Sequence, residues 1–196
     1  WTGADQPGVT TAVTYDSETL TSLPVYQLIA NGSDVTSSQY SGGGNGVDFL
    51  GTFVYNGVVY DHVEFKNRGQ NSTYVSGKNK WKIKFNDGHA FQWHDDFGNA
   101  YGTPLREVNL GAANSPWAPG NRGLAGMDEV IAFRLFNLAG VPAPLTQTAH
   151  FRVIDNASEQ GATQYDSDLW GLYVAFEDTS GRFLDAHDLS RDGDLF

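Results

Sequence analysis

Apolar and polar residues alternate most sharply through Lys80-Trp81-Lys82-Ile83-Lys84-Phe85. A period of two sets Trp81, Ile83 and Phe85 on one face and the three lysines on the other, which predicts a strand over 80–86 with one packed face. Two runs rich in Val, Phe and Tyr, 47–55 and 58–66, flank Asn56-Gly57, a strong signal for a type I′ hairpin. In the second run Val59, Asp61, Val63, Phe65 and Asn67 share one face, and Val58, Tyr60, His62, Glu64 and Lys66 the other. Neither set is cleanly polar, which predicts a central strand rather than an edge. Val25–Ile29, Leu105–Leu110, 146–154 and 169–176 read as further strands. A period near 3.6 puts Met127, Val130, Ile131, Leu135 and Leu138 on one stripe of a helix over about 124–138. Asp128 and Glu129 sit at its positive end, and Gly140 and Pro142 stop it. Residues 180–187 suit a second, short helix.

Between these elements the chain is loop-like. Residues 1–24 are Thr- and Ser-rich and read as a linker, with one domain over 25–196. Residues 31–46 hold Gly42-Gly43-Gly44-Asn45-Gly46 and read as a loop. A glycine cluster cradles phosphate when a helix follows, and here a strand-like run follows instead. Residues 87–104 read as an irregular insertion and 111–122 as a loop. Strands, one helix, then strands, without βαβ alternation, predict an α+β fold: a twisted, mostly antiparallel sheet with one prominent helix.

Composition narrows the function. Twenty-three acidic residues against 12 basic ones give a net charge of −11. That balance argues against non-specific binding to nucleic acid or to an anionic membrane, and suits a secreted protein. No apolar run of about 18 residues is present, so no membrane span is expected. The chain has no cysteine, which removes disulfides, thiol catalysis and thiolate metal sites. It opens on Trp1 with no charged-then-apolar leader, as a processed or excised segment would. The five histidines are scattered and form no HExxH pattern, so no histidine metal site is expected.

Three places can carry chemistry. In Arg68-Gly69-Gln70-Asn71-Ser72 a strand gives way to a polar turn where Arg68 can grip phosphate through two parallel hydrogen bonds; an ordinary hairpin connection is the competing explanation. Lys82, on the basic strand, and Glu129, on the helix, suit an ion pair that aims an ammonium group at a nucleotide phosphate. With 23 acidic residues, other partners for Lys82 are available. Glu177 ends an apolar strand, where it can meet a ribose or adenine or simply cap a turn.

These segments, in this order, resemble the CotH kinase family of atypical secreted or surface protein kinases. Arg68-Gly69-Gln70-Asn71-Ser72 is similar to the family's R/K-G-N-S-S loop, and Lys78 and Lys82 lie where it places lysines. Glu129 stands where its helix motif reads Arg-Glu, with Asp128 in place of the arginine. Phe136 to Pro144 resembles L-F-x-x-A-G-V-P-A-P, and Gly171-Leu172-Tyr173 with Glu177 resembles G-L-Y-x-x-x-E. Asn114-Ser115-Pro116 departs from the family's Asp-Pro-Ser. The resemblance implies a kinase N-lobe-like fold and ATP with Mg²⁺ as cofactors. Lys82 and Glu129 would be catalytic; Arg68, Gly69, Asn71, Ser72, Lys78 and Glu177 would bind nucleotide. It implies Ser/Thr transfer to secreted or surface proteins, and an extracellular or cell-surface location. The family's metal-binding aspartates are expected in a C-terminal part beyond Phe196, leaving this chain inactive alone, with an exposed half-domain face that invites association. The alternative is a non-enzymatic extracellular module for glycan or protein, with Trp93, Trp117 and Trp170 as stacking residues.

Overall fold

The computed structural model describes residues 23–40, 48–68, 79–113, 126–156 and 168–192. The glycine cluster, Gly69, Asn71, Ser72, Lys78, Asn114-Ser115-Pro116 and Trp117 lie outside the described residues. The elements are β1 (Val25–Ala30), α1 (Gly32–Tyr40), β2 (Phe49–Tyr55), β3 (Val58–Arg68), β4 (Lys80–Lys84), β5 (Glu107–Gly111), α2 (Met127–Leu138), β6 (Thr146–Ile154), β7 (Leu169–Glu177) and α3 (Gly181–Ala186). None of these helices is long and apolar enough to cross a membrane.

The strands close into a barrel in the order β1-β2-β3-β4-β5-β7-β6. Every neighbouring pair is antiparallel except β1 and β6, which close the ring in parallel. The expected α+β arrangement, resembling the N-lobe of an atypical kinase, is therefore corrected to a closed β-barrel with small peripheral helices. Two observations overturn it. The β1–β6 ladder removes the free edges that an open sheet would keep. The α2 helix buries none of its residues and so cannot form a second layer.

Asn56 (φ 49°) and Gly57 (φ 74°) turn β2 into β3, as the type I′ signal predicts. The mixed faces of β3 have a specific origin. Gly51 faces Val63 while Phe53 faces Tyr60, so one residue on β2 opposes two on β3. This bulge, with His62 at φ 53°, shifts the alternation by one: Tyr60 points inward before it, and Val63, Phe65 and Asn67 after it. A second bulge at Trp170-Gly171 of β7 uses the positive φ of Gly171. Both bend the strands toward closure. The segment 31–40, expected as a loop, contains α1. Asn31 caps it, its Oδ1 accepting from Ser33 N at 2.9 Å.

The barrel interior is aromatic. Tyr26, Phe53, Phe65, Trp81, Phe151 and Tyr173 are fully buried with Ile83, Val108 and Leu110. The insertion over 87–104 packs into this core. Phe91 stacks on Phe85 with centroids 4.7 Å apart and meets Tyr26, Phe53, Tyr55 and Tyr60 edge-on. The buried Gln147 accepts from Tyr26 Oη at 2.5 Å and donates to Tyr55 Oη at 3.3 Å, while Trp93 Nε1 donates to Tyr26 Oη at 2.8 Å. These bonds satisfy polar tips that would otherwise be costly to bury.

Two substitutions test the backbone constraints. His62→Gly relieves the left-handed strain in the β3 bulge and should stabilise the protein by about 0.5–1 kcal/mol. Gly126→Ala should destabilise it by about 1–3 kcal/mol, because Gly126 has φ 78° and a Cβ there would meet Val174 Cγ2 at 2.8 Å. Urea titrations of both variants measure the two opposite shifts.

Candidate functional site

Strand pairing places one charged row on the barrel's outer surface. Lys82 on β4 faces Lys66 on β3 and Asn109 on β5, and Asn109 faces Phe176 on β7. Because β4 alternates, burying Trp81 and Ile83 forces Lys82 outward. Its ammonium sits 2.5 Å from Glu107 Oε2 and 3.2 Å from Asp178 Oδ1. Asn109 Nδ2 donates to the same Asp178 oxygen at 2.8 Å. Burial works against the Lys82 charge, but the Glu107 hydrogen bond and the Asp178 carboxylate outweigh it and raise Lys82 above the ordinary lysine range. Burial likewise opposes ionised Asp178, and the Asn109 bond and the Lys82 charge hold its carboxyl below the usual range.

Arg68 and Glu129 adjoin this row. The Arg68 guanidinium carbon stands 5.3 Å from the centre of the Phe176 ring. Burial pulls Arg68 down, while Asp178 and then Glu129 act in the opposite direction. Gly111 makes room for the approach of α2. A Cβ at that position would stand 3.0 Å from Phe176 Cε1 and 3.8 Å from Glu129 Oε2. Glu129 thus reaches the basic surface beside Arg68, and the carboxylates that hold Lys82 are Glu107 and Asp178.

Glu177 points the other way. It shares the inward phase of β7 with Tyr173 and Ala175, and only 1% of it is exposed. Tyr101 Oη donates to Oε1, and His187 Nε2 lies 3.1 Å from Oε2. Burial raises the Glu177 carboxyl above its usual range despite these two donors, and Tyr101 is raised by burial and then by the Glu177 bond. Both oxygens are engaged inside the protein, so the position reads as an anchor for the insertion over 87–104 and for α3. Beside it opens a cleft of about 460 Å³ lined by Glu107, Asp178, Arg106, Arg182, Leu105 and Phe183.

The structure therefore brings Arg68, Lys82 and Glu129 to one outer region and puts Glu177 just beneath it, on the inner side. Glu107 and Asp178 were missed by sequence reasoning, although strand phase carries a signal for Asp178. Val174, Phe176 and Asp178 share the outward parity, opposite to that of Glu177. Tyr101 and His187 had no such signal, since a loop and a helix end bring them in. Of the tryptophans considered for stacking, Trp93 is fully buried and Trp170 packs against Trp81 and Phe151. No group of three or more His, Asp or Glu side chains is spaced to hold a metal ion among the described residues. No protein-family model and no curated protein matches the chain.

Tyr101→Phe removes one of the two donors to the Glu177 carboxylate. The loss should be about 1–3 kcal/mol near neutral pH. Its pH dependence has a definite sign. The folded-state pKa of Glu177 is already raised and would rise further, so stability falls as pH climbs through it. Thermal melts should show a larger deficit near pH 7.5 than near pH 4.

Proposed function

We propose that the outer patch of Arg68, Lys82, Glu129 and Asp178 binds the phosphates of ATP, and that the chain is the nucleotide-binding part of a CotH-like protein kinase. The whole enzyme would pass the γ-phosphoryl to Ser or Thr hydroxyls of secreted or surface proteins. The observation that carries this reading is a shared carboxylate between two cations from neighbouring strands: Asp178 stands 3.2 Å from Lys82, and Arg68, 5.3 Å from the Phe176 ring centre, lies within the field of Asp178 and of Glu129 on α2. An arginine fork suits two phosphate oxygens, and a lysine kept charged by Glu107 and Asp178 supplies a fixed point charge. The adjoining cleft falls within the roughly 300–1,000 Å³ range of small-molecule sites.

The reading rests on this patch and on the sequence resemblance, not on the barrel, which is no argument for a kinase. Glu107 and Asp178 line the adjoining cleft together with Glu177. Mg²⁺ bound with the nucleotide would neutralise triphosphate charge, and no metal ligand is assigned to it among the described residues. An extracellular or cell-surface location follows from the same resemblance.

Nucleotide titration tests the proposal. ATP, with and without Mg²⁺, should raise the melting temperature of the full chain by about 3–6 °C at a concentration near ten times Kd. Lys82→Ala and Arg68→Ala should each remove most of that shift. An unmoved melting temperature in the parent protein, or a shift that survives both substitutions, ends this assignment.

A further inference from the structure

The side of α2 away from the charged row is apolar and uncovered. Met127, Ile131, Leu135 and Leu138 are 44–66% exposed, and Phe97 on the neighbouring turn is 66% exposed. At about 200 Å² for each free side chain, these five leave on the order of 600 Å² of apolar surface, the upper end for the largest patch on a monomer. It is also shaped. Phe97 and α2 form the walls of a groove of about 250 Å³, with Val130 and Leu145 among its lining residues. The helix is rigidly ended: Val141 N bonds Phe136 O at 2.9 Å, and Asn137 bonds both the N–H and the carbonyl of Ala143 at 3.0 Å.

The charges around the groove select its occupant. Asp95 and Asp96 line it, Asp128 stands in the first turn of α2, and Arg134, stacked 4.6 Å from the Phe97 ring centre, is the lone lining cation among the described residues. Burial holds Asp96 above the usual carboxylate range, with the Asp95 charge adding to it against the bond from Thr148 N, so an approaching cation would relieve it. A second copy of this chain would bring the same three carboxylates and another net charge of −11 to the contact. A partner with an apolar ridge and basic flanks meets no such repulsion.

We infer that the α2–Phe97 groove is a docking site for a cationic amphipathic helix of a partner protein. Its apolar ridge would lie along the 12-residue α2 at helical spacing, with Lys or Arg facing Asp95, Asp96 and Asp128. This inference is independent of the nucleotide reading, since neither Arg68 nor Lys82 takes part.

The experiment uses the full chain and two labelled peptides of about 14 residues, one patterned Leu/Lys and one Leu/Glu with the same apolar spacing. Fluorescence anisotropy at physiological salt should show binding of the Leu/Lys peptide, and circular dichroism a gain of helix. The double substitution Ile131→Asp with Leu135→Asp should weaken binding at least tenfold while leaving the melting temperature unchanged, because both side chains are exposed. Asp96→Asn should weaken it severalfold, more so at low salt. The inference is overturned if the double variant binds as the parent does, which would mark mere charge attraction, or if the Leu/Glu peptide binds equally well. A dimer in sedimentation velocity that Ile131→Asp dissociates would also overturn it, making a second copy the occupant.

Discussion

The ladder between β1 and β6 joins Val25 to His150 and Ile29 to Ile154, across more than a hundred residues of chain. Without it, β1 and β6 would each present unpaired N–H and C=O groups, and the aromatic face of the sheet would lie open. Closure converts that face into an interior. Tyr26 and Phe151, adjacent across the ladder, are fully buried as a result, and Tyr26 holds Gln147 and Trp93 by hydrogen bonds. The insertion over 87–104 packs onto the same interior, Phe91 meeting Tyr26, Phe53, Tyr55 and Tyr60.

The same closure fixes the surface chemistry. In a barrel each strand has one phase inside and one outside, so an apolar interior dictates what the exterior must carry. Burying Trp81 and Ile83 exposes Lys82. Burying Val108 and Leu110 puts Glu107 and Asn109 on the same side as Lys82, and burying Tyr173 and Ala175 sends Phe176 and Asp178 there too. The charged row is thus a consequence of core packing in three strands. Gly111, without a side chain, leaves the gap through which the Glu129 carboxylate comes close to Phe176. The two consecutive carboxylates at the C-terminal end of β7 differ for the same reason: Asp178 remains ionised in the row, whereas Glu177 turns inward and needs Tyr101 and His187 to be tolerated.

The helices play a smaller part than their sequence signal suggests. The stripe of Met127, Ile131, Leu135 and Leu138 has the period of a core-facing helix, yet the barrel has no open face left to receive it. Its weakly buried residues are Val130, Ala132, Phe133 and Asn137. Periodicity reports that a helix has an apolar side. It does not report what that side meets.

Much of the local structure was legible in the sequence, because it is decided by residues close together in the chain. The Asn56-Gly57 turn, the lysine face of β4, the bounds of β6, the Gly140 stop of α2 and the short α3 all follow from local pattern and turn chemistry. The candidate site was legible only in part: Arg68, Lys82 and Glu129 do share a region, but the partners of Lys82 depend on the pairing of β5 with β4 and β7. Closure, the bulge that reverses the phase of β3 at His62, and the inward turn of Glu177 are long-range outcomes. Each is set by which strands find one another, and that choice is made by burying the whole aromatic set at once, a quantity no short window of sequence contains.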